Sequence, residues 1–254
     1  MRGRSGKYME IKASVREIAE MVYGSGDLAG EEYLRRRAEE GILIHKEHQS
    51  RYKEGDQREV YVSYEEAGED YRLFLSGRID GVLKRGKKTI IEEIKSTTRD
   101  LAIVNEETVP AHLAQAKLYA FIYFRNSRKR KIDIRLTYIR VKSKEIKKID
   151  LVFSKEEIED FFRKTIELYI GWLRKISAHE ERRNRSIEGL VFPFPDYREG
   201  QRDLMGACYR TLLNKGILYA IAPTGIGKTV AVLFSALKTI NRAGQKLFYL
   251  TAKN

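Results

Sequence analysis

The sequence has very little cysteine, and that scarcity excludes two kinds of site. Cys208 is the only cysteine among the 254 residues, so neither a disulfide framework nor a multi-cysteine zinc or iron–sulfur site can form within the chain. Long apolar runs are also missing. The longest, Leu118 to Phe124, is far shorter than the roughly 20 residues that cross a bilayer. Met1 to Lys7 lacks the apolar stretch of a secretion signal. These absences predict a cytoplasmic protein without a membrane segment.

What the sequence has in excess is positive charge. Lys and Arg number 49 against 36 Asp and Glu, which gives a formal net charge of +13. Such an excess favours a polyanionic partner, through counterion release and electrostatic steering. A soluble protein that simply carries many charged residues would show the same excess. The charge by itself therefore leaves both interpretations open.

A phosphate-binding loop is the most specific local motif. Residues Ala222-Pro-Thr-Gly-Ile-Gly-Lys-Thr229 follow an apolar run, Ile217 to Ile221, and precede a helical pattern that runs from Lys228 towards Ala243. A strand, a glycine-rich turn and a helix N-terminus form a cradle of backbone N–H groups for phosphate. In this pattern the lysine reaches the β- and γ-phosphates of ATP and the hydroxyl binds Mg²⁺. The candidate nucleotide-binding residues are Thr224, Gly225, Gly227, Lys228 and Thr229.

The acidic motif that ATP hydrolysis also needs is missing after the loop. Between Thr229 and Asn254 no Asp-Glu-Ala-His-type segment occurs. We therefore expect this chain not to hydrolyse ATP by itself and to bind nucleotide only weakly. A complete motor would belong to a longer parent protein, and the complete chemistry of this chain would lie upstream.

Upstream, two predicted strands carry a set of charged side chains. Gly77–Leu83 and Thr89–Ile94 are joined by a short turn that contains Gly86. Because side chains alternate along a strand, Glu93 and Lys95 share a face, and strand pairing can bring Asp80 onto it. Two carboxylates beside an ammonium group suit Mg²⁺ or Mn²⁺, which can activate a water and clamp a phosphodiester. The cost of packing two carboxylates together is itself a reason to expect a cation.

Four motifs in order resemble the RecB-type branch of the PD-(D/E)XK nuclease superfamily. They are Gly41-Ile-Leu-Ile-His45 in a helix, Gly77-Arg-Ile-Asp80 and Glu93-Ile-Lys95 on successive strands, and Gln115-Ala-Lys-Leu-Tyr119 in the next helix. The resemblance covers about residues 10 to 175 and implies an α/β, restriction-endonuclease-like core, a mixed sheet flanked by helices. The metal ligands that it implies are His45, Asp80, Glu93 and the Ile94 carbonyl. The catalytic residues that it implies are Asp80, Glu93, Lys95, Gln115 and Tyr119.

The C-terminal part, from Phe192 to Thr251, resembles the start of an XPD/DinG-type superfamily 2 DNA helicase. Tyr197-Arg-Glu-Gly-Gln201 matches the segment that precedes the phosphate-binding loop in such helicases, whose glutamine reads adenine. Gln201 is therefore a candidate adenine contact. The Phe192-Pro-Phe-Pro195 entry and a terminal strand over Phe248–Lys253 also fit. An unrelated P-loop ATPase remains the alternative for this segment.

Together these patterns predict two domains and one main function. Residues 1–185 are predicted to form a nuclease-like domain with a long C-terminal helix that begins at Ser154-Lys-Glu-Glu157, a capping box. Residues 186–254 are predicted to be the truncated first strand–P-loop–helix unit of a RecA-like helicase domain. The charged segment His179–Arg185 is the predicted linker. The function predicted is Mg²⁺- or Mn²⁺-dependent DNA cleavage joined to an incomplete ATP-dependent helicase, for DNA repair or end processing.

Two other kinds of protein would share many of these features. A non-catalytic DNA-binding arm would keep the basic segments Lys84–Lys88, Arg125–Lys131 and Lys142–Lys148 without cutting DNA, and its binding would be sensitive to salt. An ATPase with a structural N-terminal domain would lose nothing when Glu93 is changed. The expected partners are DNA, single-stranded or branched, and ATP. Cleavage polarity and oligomeric state are not determined by the sequence.

Overall fold

The computed structural model describes residues 8–24, 31–241 and 244–251, although the side chains of residues 31–38 are not described. The chain divides into two compact units, residues 1–170 and 171–254. The division falls inside one long helix.

The described elements of the first unit are six strands, four α-helices and one short 3₁₀ helix at Leu101–Ile103. The strands are β1 (Met9–Ser14), β2 (Gln57–Ala67), β3 (Tyr71–Arg85), β4 (Lys88–Thr97), β5 (Lys131–Arg140) and β6 (Ile146–Ser154). The helices are α1 (Val15–Tyr23), α2 (Glu31–Gln49), α3 (Pro110–Phe124) and α4 (Lys155–Glu188), which continues into the second unit. The second unit also contains α5 (Gln201–Leu213) and α6 (Lys228–Thr239).

The six strands form one mixed sheet with the path β1-β3-β4-β5-β6, and β2 pairs with β3. Strand β3 is parallel to β1 and antiparallel to β2 and β4. Strand β5 is parallel to β4 and antiparallel to β6. The parallel β4–β5 pair is connected through α3, as a parallel connection requires a crossover.

Helices cover both faces of β4. Ile44 of α2 packs in one buried cluster with Ile94 and Ile139, whereas Gln115 of α3 reaches Lys95. Since neighbouring residues on a strand point to opposite faces, α2 and α3 lie on opposite sides of the sheet at this point. The predicted α/β class and the mixed sheet flanked by helices are therefore confirmed. In the described part of the chain, no helix has both the length and the apolar character needed to cross a bilayer.

Three features of the first unit and the long helix differ from the sequence-based expectation. Strand β1 was not predicted. The strand predicted to begin at Gly77 begins at Tyr71 instead, because pairing of β3 with β2 from Ala67 to Gln57 runs past that glycine. Helix α4 continues through the predicted linker His179–Arg185 to Glu188. Glu, Arg and Ala are good helix formers, so the helix does not need an apolar stripe to persist there.

The second unit differs more strongly. Neither 217–223 nor 244–251 forms a strand in the structure, although strands were predicted over Ile217–Ile221 and Phe248–Lys253 (of which 252–253 lie outside the described residues). Tyr219 and Leu250 are about nine-tenths exposed. A strand is stabilised by its neighbours, and the described residues supply no paired strand for either segment.

Candidate active site

The candidate site lies where strand β3 changes partner. Strand β1 pairs with Tyr71–Ser76 of β3, and β4 pairs with Gly81–Arg85. Since β2 pairs along most of β3, β1 and β4 share its other edge. The segment Gly77–Asp80 lies between these two stretches, where α1 begins after β1. This fork in the sheet leaves room for polar side chains from several elements.

Asp80 lies one residue beyond the last recorded β3–β4 pair, Gly81 with Glu92. Its Oδ2 accepts a 2.7 Å hydrogen bond from the backbone nitrogen of Ile94. The Asp80 carboxylate therefore links β3 to β4 where the two strands diverge. The residue that it contacts, Ile94, is the one whose carbonyl is predicted to bind the metal. The Nδ1 of His45, on α2, is 3.7 Å from Asp80 Oδ1.

Glu93 and Lys95 are brought together as the strand alternation predicts. Lys95 Nζ is 2.8 Å from Glu93 Oε1 and donates a 3.0 Å hydrogen bond to Gln115 Oε1 on α3. Glu93 is only 1% exposed, and its second oxygen, Oε2, has no hydrogen-bond partner. A buried carboxylate oxygen without a partner is costly, so this atom is available to a ligand.

Burial makes Glu93 a weak acid. Desolvation raises its pKa from 4.5 to about 7, and Asp80 adds to the increase, while the nearby Lys95 ammonium opposes it. The effect of burial is the largest and decides the direction. The Glu93 carboxyl group is therefore partly protonated near neutral pH. A cation that binds the carboxylate must displace that proton.

Tyr119 supports the site from α3. It is buried, and a Cβ atom placed on Gly77 would come within 2.7 Å of its hydroxyl oxygen. Only a glycine at position 77 allows this close approach. Burial, and then the carboxylates of Glu93 and Asp80, raise the pKa of Tyr119, so its hydroxyl stays protonated.

A glutamine on α2, which sequence reasoning missed, holds the backbone of Asp80. The Nε2 of Gln49 donates to the Asp80 carbonyl and to Glu59 Oε1, both at 2.9 Å. In the β2–β3 ladder, Arg58 pairs with Gly81 and Val60 pairs with Ile79. The intervening residues, Glu59 and Asp80, do not pair with each other. Glu59 has φ of 51°, which is uncommon for a residue other than glycine. Because Asp80 has no partner in the ladder, its carbonyl can accept the hydrogen bond from Gln49.

An open cleft of about 710 Å³ lies over these groups. Sequence reasoning also missed three of its lining residues, Arg16, Arg78 and His112, since they belong to elements far apart in the chain. His112 Nδ1 is 3.1 Å from the Tyr138 hydroxyl. Burial, followed by the charges of Lys95, Arg16 and Arg99, lowers the pKa of His112 to about 3. His112 is therefore a neutral imidazole at physiological pH, in a cleft whose two arginines can contact phosphate.

The site fits a hard divalent cation that keeps part of its water shell. Among the described residues, no group of three or more His, Cys, Asp or Glu side chains encloses a metal position. Mg²⁺ is commonly bound by only one or two carboxylates, with water and substrate oxygens completing its shell. The unpartnered Glu93 Oε2 and the neighbouring Asp80 carboxylate meet that requirement.

The other face of β4 carries a second buried carboxylate, Glu92. It accepts hydrogen bonds from Thr137 Oγ1 at 2.5 Å and the Tyr52 hydroxyl at 2.6 Å, and His48 Nε2 lies 3.4 Å away. Burial would raise the pKa of Glu92, but the bonds from His48, Thr137 and Tyr52 outweigh it and lower that pKa. This cluster joins β4 to β5 and to the C-terminal end of α2. It therefore supports the strand that carries Glu93.

The phosphate-binding loop lies in the second unit. Gly225 and Gly227 have φ of 91° and 79°, a conformation that favours glycine, and helix α6 begins directly after Gly227. Lys228 Nζ donates to the carbonyls of Ala222 and Pro223 at 3.0 and 2.8 Å. Gln201 is buried, and its Nε2 donates to the Gly227 carbonyl at 3.3 Å. The structure thus brings Gln201 to the loop, and its Oε1 accepts from the Arg198 backbone nitrogen.

Thr229 and Thr224 complete the predicted nucleotide-binding residues. Thr229 Oγ1 lies 3.2 Å from the Tyr249 hydroxyl, and both threonines are exposed. No strand precedes the loop in the described residues, so its cradle consists of the turn and the helix N-terminus alone.

Comparison with known proteins assigns the first unit and the long helix α4 to a protein family. Residues 7–196 match the PD-(D/E)XK nuclease superfamily, and no curated protein matches the chain. One similar solved structure is that of SSO0001, with 20% identity, a TM-score of 0.42, and coverage of 65% of this chain and 79% of that one. Another, from Eubacterium rectale and provisionally assigned as an exonuclease, has 15% identity, a TM-score of 0.32, and coverage of 52% and 48%. Because the match extends over most of its length, this chain belongs to the PD-(D/E)XK nuclease superfamily.

Proposed function

We propose that the first unit is a metal-dependent deoxyribonuclease whose catalytic residues are Asp80, Glu93 and Lys95. The observation that carries the proposal is the buried, unpartnered Oε2 of Glu93 beside Asp80 and Lys95, under an open cleft. Membership in the superfamily supports nuclease chemistry and the use of Mg²⁺ or Mn²⁺. The positively charged chain favours a nucleic acid as substrate.

In the reaction that we propose, a water attacks a phosphodiester phosphorus and loses a proton to solvent, while the P–O bond to one sugar breaks and the departing sugar oxygen takes up a proton from solvent. A divalent cation held by Asp80 and Glu93, with the Ile94 carbonyl and His45 as further ligands, would supply Lewis-acid charge and a more acidic water. Lys95 donates to the water or to a non-bridging phosphate oxygen, where negative charge develops. Gln115 fixes the Lys95 ammonium, and Tyr119 is hydrogen-bonded to Gln115. Arg16 and Arg78 hold the phosphates on either side.

The test is cleavage of end-labelled single-stranded, branched and duplex DNA by this chain with Mn²⁺, Mg²⁺ or EDTA. Cleavage that requires the metal supports the proposal. Salt-sensitive DNA binding without cleavage of any substrate would show instead a DNA-binding arm. In that case the carboxylates have no catalytic role in this chain.

We expect the metal to stabilise the protein more at pH 8 than at pH 6. The pKa of Glu93 rises from 4.5 to about 7 on folding, so the folded state binds the proton more tightly. The stability that this proton binding adds to the folded state is fully present below pH 4.5. It is lost as the pH rises from 4.5 to 7, by about 1.4 kcal/mol per pH unit. A cation that replaces the proton restores that stability.

Thermal unfolding with Mn²⁺ in moderate excess or with EDTA, at both pH values, measures this effect. The Glu93→Gln variant is the matched control, because it has no proton to exchange and no charge for the metal. An equal metal-dependent shift in wild type and Glu93→Gln would place the metal elsewhere.

For the second unit we propose ATP binding by the loop Ala222–Thr229, with Gln201 against the adenine. Lys228→Ala should weaken the binding of a fluorescent ATP analogue by about 10- to 100-fold, since a charge-assisted contact to phosphate contributes about 1.5–3 kcal/mol. Lys246→Ala removes an exposed lysine nearby in the sequence and serves as the control. Equal affinities in wild type and Lys228→Ala would exclude the loop as a nucleotide site.

We also propose that this loop belongs to an XPD/DinG-type helicase motor. Such a motor would deliver separated strands to the nuclease during DNA repair or end processing. The motifs around Gln201 and Lys228 support this link. DNA should then strengthen the binding of the ATP analogue to the loop, and an affinity that DNA does not change would argue against this link.

A further inference from the structure

Two lysine side chains converge on one hydroxyl at the tip of the β3–β4 hairpin. Lys84 Nζ donates to Thr89 Oγ1 at 3.0 Å, and Lys129 Nζ donates to the same oxygen at 3.1 Å. Lys84 and Thr89 are opposite each other in the β3–β4 ladder, while Lys129 comes from the loop between α3 and β5. The two ammonium groups are at most about 6 Å apart, because both bonds end on one oxygen.

No carboxylate neutralises this pair within the described residues. Asp56, which accepts from the Lys84 backbone nitrogen, forms its ion pair with Arg85. Asp133 pairs with Lys88 at 3.3 Å. Two like charges held this close repel each other unless an anion lies between them. The pair therefore has the electrostatic character of an anion-binding site.

The surroundings of the pair are also basic. Lys129 donates to the Lys87 carbonyl at 3.4 Å, so the α3–β5 loop lies against the hairpin turn. The exposed cations nearest in sequence, none of which has an ion pair in the described part of the chain, are Lys87, Arg128, Arg130 and Lys131. Folding thus joins two basic segments, Lys84–Lys88 and Arg125–Lys131, into one surface.

We infer that Lys84 and Lys129 clamp a backbone phosphate of a nucleic acid outside the catalytic cleft. Two N–H donors about 6 Å apart can each approach a different oxygen of one phosphate at about 2.7–2.9 Å. The surrounding cations extend beyond a single phosphate, which favours a polymer over a free anion. This inference rests on the proposed function, because it assigns the site to the substrate of the nuclease.

Thr89, the hydroxyl that joins the two clamp lysines, lies on the strand that carries the proposed catalytic residues Glu93 and Lys95. Thr89 and Glu93 are four residues apart on β4, which corresponds to about 13 Å along the strand. A nucleic acid that reaches both must extend at least two nucleotides beyond the scissile phosphate. The clamp therefore contributes to the binding of long substrates and not to the chemical step.

The test is binding of a fluorescent single-stranded oligonucleotide, about 20 nucleotides long, measured by anisotropy in EDTA at several salt concentrations. Lys84→Gln/Lys129→Gln should weaken binding about tenfold at low salt. It should also reduce the slope of log K against log salt by about 0.7, the value for one neutralised phosphate on a single strand. The control, Lys164→Gln/Lys175→Gln, makes the same charge change at exposed positions of α4. Equal losses in the two double variants would overturn the inference.

Two further measurements distinguish a nucleic-acid clamp from a simple loss of charge and from a site for free phosphate. Thr89→Val keeps the charge and shape of the hairpin but removes the shared hydroxyl, and it should weaken binding about two- to threefold with the fold unchanged by circular dichroism. Wild-type affinity in this variant would show that the shared hydroxyl does not position the pair, and the inference would fail. If inorganic phosphate at matched ionic strength raises the melting temperature of wild type but not of the lysine double variant, while the two proteins bind DNA equally, the site holds free phosphate and the inference fails.

A short substrate distinguishes the clamp from the proposed function. Thymidine 5′-p-nitrophenyl phosphate is too small to reach from the cleft to the lysine pair, so wild type and Lys84→Gln/Lys129→Gln should hydrolyse it equally. A loss confined to the variant would show that the pair acts in catalysis and would overturn the clamp. If neither protein hydrolyses it or cuts DNA, the proposed function fails, while the anisotropy experiment still decides the clamp.

Discussion

Glu93→Gln should lower metal-dependent DNA cleavage by about a thousandfold or more, because it removes a charge that holds the cation and leaves the volume of the side chain unchanged. Glu93 is buried and has one oxygen without a partner, so no neighbouring carboxylate can take over its position. The measurement is the initial rate of cutting of end-labelled DNA in Mn²⁺ and in Mg²⁺. Raising the metal concentration should restore little activity.

Lys95→Ala should cause a loss of similar size, about 10²- to 10⁴-fold. Lys95 bridges Glu93 and Gln115 at 2.8 and 3.0 Å, which places its charge at the edge of the cleft. Without it, the pKa of Glu93 should rise further, since the cation in direct contact with that carboxylate is gone. The rate of the variant should therefore recover in part as the pH is raised.

Two matched variants control for the change of charge. Glu167→Gln and Lys164→Ala make comparable changes at exposed positions of α4 and should cut DNA at the wild-type rate. Circular dichroism and the melting temperature show whether each variant is folded. If Glu93→Gln and Lys95→Ala are folded and still cut DNA as wild type does, the catalytic site lies elsewhere in the chain.

The largest effect on stability should come from Glu92, on the opposite face of β4. Glu92→Ala should lower the free energy of unfolding by about 3–5 kcal/mol, because it leaves buried polar atoms of Thr137, Tyr52 and His48 without their partner. Since the pKa of Glu92 is lowered on folding, this contribution is present above its ordinary pKa and disappears as the pH falls. Urea unfolding at neutral pH, followed by circular dichroism, measures the loss.

An exposed glutamate provides the comparison. Glu145 lies 3.5 Å from Arg140 in an exposed ion pair, and Glu145→Ala should cost less than about 1 kcal/mol. Glu92→Gln keeps the side-chain volume and one carbonyl acceptor. Its loss of unfolding free energy should lie between those of Glu92→Ala and Glu145→Ala. Equal stabilities of Glu92→Ala and Glu145→Ala would show that the buried cluster does not hold β4 in place.

The sequence alone determined the local relations within the candidate active site. Strand alternation placed Glu93 and Lys95 on one face. The order of the motifs at His45, Asp80 and Gln115 indicated the superfamily. These relations depend on spacings of one to four residues, which the geometry of a strand or a helix sets without reference to the rest of the fold.

Only the tertiary structure decided how much each polar group is buried and which distant residue it contacts. Gln49 reaches Asp80 across 31 positions of the chain, and Glu92 contacts Thr137 across 45. In the second unit, the apolar runs at Ile217 and Phe248 have strand-like sequences but no paired strands among the described residues. Burial and strand pairing depend on which remote segments pack together, and a local pattern carries no information about that choice.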